Sequence, residues 1–223
     1  KVYVKRYVEL TDEQKKAYAQ MKENALATLN GSSATAFNVL TQLIRLHQIT
    51  CGHMATDNHD IIDIKSNRLD ELMQILGENS GKVIIWANYI YDINQIKKAI
   101  EKEFGEKSYC TYYGATLAKD RQKCINDFQD PNSPVRFFIG NTQTGGYGIT
   151  LTAASTVIYY SNNYDLEKRI QSEDRAHRIG QMNKVLYIDL VAKGTIDVKI
   201  IRSLRNKVNI AKEISGEELI AWI

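Results

Sequence analysis

Hydrophobic positions along this chain recur at two different spacings, and the change from one to the other divides it. The first third is helical. Thr11-Asp12-Glu13-Gln14 reads as an N-cap followed by an acidic first turn. The helix it opens runs to about Leu29, where Asn30-Gly31-Ser32-Ser33 breaks it. A second helix carries Val39, Leu40, Leu43, Ile44 and Leu46 and stops at Cys51-Gly52; His53 to Lys65 reads as a loop. Ser66 caps a third helix, whose Leu69, Leu72, Met73 and Leu76 form one apolar stripe at i, i+3, i+4 and i+7. Ahead of all three, Lys1 to Val8 alternates apolar and polar, as a strand does.

After Gly81 the pattern becomes short apolar runs separated by helical stretches. Val83 to Ala87 is continuously apolar, the mark of a strand buried on both faces. A helix with Ile93, Ile96 and Ile100 follows, then a strand from Tyr109 to Tyr113 ending at Gly114. Leu117 to Phe128 suits a helix, and Val135 to Ile139 another buried strand. A short helix or turn is expected between Gly148 and Ala154. Thr156 to Tyr160 is a strand, Asp165 to His177 a helix and Val185 to Val191 the last strand, after which Thr195 caps a closing helix. Such alternation predicts an α/β fold, a parallel sheet covered by helices on both faces. Ligands gather at the carboxyl ends of such strands. Gly114, Asn141 to Gly148 and Ser161 to Asn163 all follow strands and are expected on one edge.

With 223 residues and 43% hydrophobic content the chain can bury a full core. A net charge of +3 permits a nucleic-acid partner without demanding one. No apolar run approaches a membrane span and no signal peptide opens the chain. Three cysteines, Cys51, Cys110 and Cys124, form no CxxC pair, which fits a reduced, intracellular protein. His47, Cys51, His53 and His59 match no standard zinc spacing, so no metal is assigned to them. Lys1 rather than Met begins the chain, which reads as a piece of a longer protein.

Two segments carry chemistry. Gln171-Ser-Glu-Asp-Arg-Ala-His-Arg-Ile-Gly-Gln181 sets Arg175 and Arg178 three residues apart, with Gln171 four residues before the first. On a helix these three share a face, and Gly180 is the natural stop. Two rigid, permanently charged guanidiniums suit charge spread over phosphate oxygens, the arginine-finger role in nucleotide hydrolysis. The plainer alternative is an exposed helix with i,i+4 ion pairs. The second segment, Gly140 to Leu151, has four glycines within nine residues, with Thr142 and Thr144 as hydroxyl donors. Such a loop suits phosphate oxygens of a nucleotide or a nucleic-acid backbone, or is simply a tight connection. No GxxxxGK[ST] loop exists, and Asp70-Glu71 lies within an amphipathic helix instead of following a buried strand. The chain alone is therefore not expected to hydrolyse ATP.

Taken in order, the segments resemble the C-terminal RecA-like lobe of superfamily 2 helicases, specifically Swi/Snf-type DNA translocases. Lys82 to Tyr89 resembles helicase motif IV, and Tyr113-Gly114 with Arg121, Ile125 and Phe128 the block that follows it. Asn141 to Leu151 resembles motif V, and Gln171 to Gln181 motif VI; DEAD-box helicases carry Arg where Gln181 stands. Val191 to Ile196 resembles the lead into a brace helix, and Leu10 to Tyr18 the entry to the lobe. The resemblance implies an N-terminal strand and helical extension over 1–65, a RecA-like lobe over 66–194 and brace helices over 195–223. It implies that Arg175 and Arg178, with Gln171 orienting them, reach ATP and Mg2+ held by an absent N-terminal lobe. Gly146 and Gly148 would lie against the nucleotide. Thr142, Gly114 and Asn88 would contact phosphates of double-stranded DNA. Asn88, Trp86, Tyr147 and Thr150 replace the commoner Gln, Phe, Leu and Asn of relatives. The implied activity is ATP-driven DNA translocation. Its rivals are a strand-separating helicase and a non-catalytic interaction lobe.

Overall fold

The computed structural model describes residues 1–31, 36–56, 58, 60–145, 148–207 and 222. Its elements in chain order are β1 (Val2–Val8), α1 (Asp12–Gly31), α2 (Ala36–Cys51), β2 (His53–Ala55), β3 (Ile61–Asp63), α3 (Arg68–Glu78), β4 (Lys82–Trp86), α4 (Ile90–Phe104), β5 (Tyr109–Tyr112), α5 (Ala118–Gln129), β6 (Phe137–Gly140), α6 (Thr142–Gly145), β7 (Ala154–Tyr159), α7 (Leu166–Ala176), β8 (Leu186–Ala192) and α8 (Ile196–Arg205). They divide into two compact units. One comprises Lys1–Arg6 and Leu69–Leu190, the other Tyr7–Arg68 and Val191–Ile223.

The first unit is built on a six-stranded sheet of order β1-β8-β7-β4-β6-β5. β4 is parallel to both β6 and β7, β5 to β6, and β7 to β8. Val83, Ile84, Ile85 and Trp86 are all fully buried, so β4 is covered on both faces, as its continuous apolar run predicts. Ile84 and Trp86 join one cluster with Phe128 of α5, Phe138 of β6 and Ala176 of α7. Ile93, Ile96 and Ile100 bury the inner stripe of α4 outside that cluster. Each such isoleucine contributes roughly 2 kcal/mol of burial.

Register then fixes what the sheet presents. Tyr112 of β5 pairs with Gly140 of β6, Gly140 with Trp86 of β4, and Trp86 with Tyr159 of β7. These four residues form one row at the carboxyl ends of four parallel strands.

In the second unit, Thr11 and Gln14 cap α1 reciprocally: Thr11 Oγ1 accepts from Gln14 N–H and Gln14 Oε1 from Thr11 N–H, each at 3.1 Å. Thr195 caps α8 by accepting from Asp197 N–H. Asp197 is buried and receives the Arg68 guanidinium, the Thr50 hydroxyl at 2.8 Å and the Ala192 N–H at 2.9 Å. Burial works to raise its carboxyl pKa, but Arg68, His47 and the Ala192 amide outweigh it and hold the pKa below the usual range. His47 is pushed down to about 4, by burial first and Arg68 second. Burial first, and then His47, likewise push His53 down to about 4.

Two expectations are corrected. The segment from His53 to Lys65 contains an antiparallel pair, β2 with β3, instead of loop alone. The turn expected between Gly148 and Ala154 falls at Thr152 and Ala153, and a further short helix, α6, precedes Gly148. Cys110 and Cys124 are joined by a disulfide with a Cα–Cα distance of 5.5 Å, linking β5 to α5. Their separation of 14 residues carries no CxxC signal, so spacing alone missed the pair.

No described helix is long and apolar enough to cross a membrane. Among the described residues no group of three or more His, Cys, Asp or Glu is placed to hold a metal ion; His59 lies outside them.

Candidate functional site

Asp165 starts α7 by accepting from the N–H groups of Glu167 and Lys168. The helix ends at Ala176, with His177 as its C-cap. Arg178 therefore lies beyond the helix. The expectation that Gln171, Arg175 and Arg178 share one helical face is corrected for Arg178. The cause is competition for the last carbonyls. Arg175 C=O accepts from Leu151 N–H at 2.9 Å, and Ala176 C=O accepts from Gln181 Nε2 at 3.3 Å. Gly180 takes a φ of +100°, but in the turn after the helix.

The two arginines are nevertheless fastened to one segment. Arg175 Nη1 donates to Ile149 C=O at 3.2 Å, and its Nε to Gln171 C=O at 3.0 Å. Arg178 Nη1 donates to the Thr150 hydroxyl at 2.9 Å. Gln181 Nε2 spans the carbonyls of Thr152 and Ala154 as well as that of Ala176. Motif VI is thus stitched to the strand-ward end of motif V. Partial burial first, and then the Arg178 charge, lower the proton affinity of Arg175. Gln171 Oε1 is buried without a hydrogen-bond partner among the described residues.

Behind the arginines, Arg169 stacks on Tyr159 at 3.5 Å and is buried. Its guanidinium reaches Asp189 at 2.5 Å, Glu173 at 2.8 Å and Asn162 at 2.5 Å. Burial opposes its charge, yet Asp189 and its other neighbours raise its pKa. This cluster pins α7 to β7 and β8. Sequence reasoning missed it, because the only local signal is the i,i+4 spacing to Glu173.

Motif V begins at Asn141, whose Oδ1 accepts from Gln143 N–H at 2.8 Å. Thr142 is buried as the first residue of α6. Two of the loop's glycines answer to packing. A Cβ on Gly145 would lie 2.5 Å from the Trp86 ring, and one on Gly140 would lie 2.8 Å from that ring and 2.9 Å from Tyr112 C=O. Gly148 takes a φ of +69°. Gly146 and Tyr147 lie outside the described residues.

Gly114 differs from these. It has no positive φ, and a Cβ there would meet nothing within 4 Å. Arg121 turns the loop's carbonyls inward, donating to Thr116 C=O at 3.0 Å and to Tyr113 and Gly114 C=O at 3.3 Å each. Neither packing nor backbone strain requires glycine at 114. The family block had named Arg121 without this role. A groove of about 690 Å³ lined by Tyr109, Thr111, Thr116 and Asp120 opens beside this loop, away from the arginines.

Asn88 follows β4. Its N–H donates to Ser161 Oγ at 2.8 Å, its C=O accepts from Asn141 Nδ2 at 2.8 Å, and its Oδ1 accepts from Asn163 Nδ2 at 3.1 Å. Counting from the row Tyr112, Gly140, Trp86 and Tyr159, the residues two positions further on are Gly114, Thr142, Asn88 and Ser161. Three candidates far apart in sequence are thereby brought to one edge.

The family model described as the helicase conserved C-terminal domain matches residues 65–180. The chain is 29% identical over 225 residues to the ISWI chromatin-remodeling complex ATPase ISW1 of Saccharomyces cerevisiae, covering 92% of this chain and 19% of that protein. It is 29% identical over 227 residues to the uncharacterized ATP-dependent helicase MG018 of Mycoplasma genitalium, covering 96% of this chain and 22% of that protein. A solved structure of the Sulfolobus solfataricus SWI2/SNF2 ATPase core in complex with dsDNA matches with a TM-score of 0.77 and 27% identity, covering 100% of this chain and 50% of that one. The chain spans about a fifth of the length of these curated relatives.

Proposed function

This chain belongs to the helicase conserved C-terminal domain family, in its Swi/Snf-type branch, and from that premise we propose that it is the second RecA-like motor lobe of an ATP-dependent double-stranded-DNA translocase. Its strand-end edge meets the phosphates of the tracked DNA strand through Gly114, Thr142 and Asn88. Arg175 and Arg178 complete a hydrolysis site whose triphosphate and Mg2+ are held by a preceding lobe. Gln171 orients the finger helix, and Gly146 and Gly148 approach the nucleotide. ATP closes the cleft between lobes, hydrolysis reopens it, and the pair steps along the duplex inside the cell.

The observation that carries this reading is that Gly114, Thr142 and Asn88 each follow by two residues the paired row Tyr112, Gly140 and Trp86. Three small or donor-bearing residues just past the carboxyl ends of β5, β6 and β4 would offer a row of contacts to a regularly spaced anion. Contacts of that kind carry no base information, so tracking is independent of sequence and weakened by salt.

The decisive experiment uses the full-length protein. Arg175→Ala and Arg178→Ala each lower DNA-stimulated ATP hydrolysis by roughly a thousandfold. Hydrolysis at the wild-type rate in both variants would reject the finger assignment. Strand displacement on a forked duplex, measured alongside, distinguishes a translocase from a strand-separating helicase.

A further inference from the structure

Nearly every polar group of Asn88 is already committed. Its N–H goes to Ser161 Oγ, its C=O receives Asn141 Nδ2, and its side-chain Oδ1 receives Asn163 Nδ2. What remains is Nδ2 with its two protons, which takes no partner among the described residues. Whether an asparagine presents its NH2 or its carbonyl is decided by the network around it. Here the network admits one answer. Asn163 Oδ1 accepts from Asp165 N–H at 2.9 Å, and a backbone N–H can only donate. Asn163 must therefore turn its NH2 toward Asn88, and Asn88 must answer with Oδ1. The neighbouring groups are fixed in the same way. Asn141 Oδ1 is held by Gln143 N–H, so its Nδ2 faces the Asn88 carbonyl. Ser161 donates its own proton to buried Asp92 at 3.0 Å and so offers a lone pair to Asn88 N–H.

The network engages both Asn88 carbonyl oxygens and leaves its side-chain NH2 as the uncommitted group. A phosphodiester oxygen is an acceptor only. From this we infer that Asn163 is a positioning residue for DNA: it locks the polarity of the Asn88 amide so that NH2, never C=O, meets the phosphate. The inference rests on the reading of Asn88 as a DNA contact. Without Asn163 the amide can rotate, and one of its two orientations sets carbonyl oxygen against phosphate oxygen.

Anisotropy titrations of the full-length protein with a fluorescein-labelled duplex test it through a double-mutant cycle. Asn88→Ala weakens binding roughly tenfold, the scale of a hydrogen bond to a charged group. Asn163→Asp keeps the shape and can still accept from Asp165 N–H, but it cannot donate. It draws the Asn88 NH2 inward and weakens binding by a similar factor. Asn163→Ala, which only frees the amide, costs roughly threefold. In the Asn88→Ala background both Asn163 changes add less than about twofold, because they act through a side chain no longer there. A purely structural role predicts Ala to be at least as harmful as Asp; that order overturns the inference. Full multiplication of the Asp and Asn88→Ala losses overturns it too, since simple charge repulsion would then explain the Asp effect. If Asn88→Ala binds as tightly as the wild type, the DNA-contact reading falls first and the inference with it.

Discussion

Gly145 has no room for a methyl group, and the reason lies outside its own loop. The Trp86 ring fills the space a Cβ needs, and Trp86 is fully buried at the end of β4. Gly145→Ala should therefore lower unfolding free energy by about 1–3 kcal/mol, the usual cost of overpacking. Urea melts of that variant and of Gly145→Ala with Trp86→Phe check it, the smaller ring restoring part of the loss. The sequence displays this loop as a cluster of glycines, which reads as a phosphate cradle. It cannot display the tryptophan that claims two of them, because only the pairing of Trp86 with Gly140 brings the ring there. Gly114 is the reverse case. Its sequence neighbourhood is ordinary, yet nothing around it excludes a side chain. Asn163 was placed on the strand-end edge but its pairing with Asn88 was illegible, as was that of Arg169 with Asp189, because those partners are far away in sequence.

Elements were legible wherever an apolar pattern was long enough to have a period. The four central strands and α5 begin and end close to the expected positions, α3 and α8 start just after their expected caps Ser66 and Thr195, and α4 carries the expected Ile93, Ile96 and Ile100. The β2–β3 pair was missed because each strand has three residues, too few to alternate visibly. The end of α7 falls within a residue of the expected His177, but Arg178 was placed on its face, whereas contacts to Leu151 and Gln181 take up the last carbonyls and the helix stops before Arg178. The second unit carries a prediction about acid. His47 and His53 bind protons near pH 6.5 when unfolded and near 4 when folded. Between those values the unfolded chain holds more protons, so stability falls as pH drops. Stability from these groups is complete above about pH 6.5 and is lost toward pH 4, on the order of 3 kcal/mol for each histidine. Denaturant midpoints measured across that range should decline in the wild type. They should decline less in a His47→Asn, His53→Asn double variant.

At the scale of the whole molecule, the order of the strands was not written in the sequence, but their parallel alternation with helices was, and it led to the sheet edge. On the proposed reading, this chain carries half of a phosphoryl-transfer centre. It has one cation held by backbone carbonyls and another by the Thr150 hydroxyl, but no GxxxxGK[ST] loop and, among the described residues, no metal-holding cluster. The 223-residue chain by itself should release phosphate from ATP no faster than a buffer blank, with or without duplex DNA, while the full-length protein does so readily. A malachite-green assay on the two side by side is sufficient. The Cys110–Cys124 bond bears on how the intact fold can be interrogated. With that pair closed, Cys51 is the remaining sulfhydryl, and it is buried at the end of α2. An alkylating dye added to the oxidised, folded chain can react only when that helix end opens. Its labelling rate is then a clock for local breathing of the second unit, supplied by the native sequence without any engineered handle.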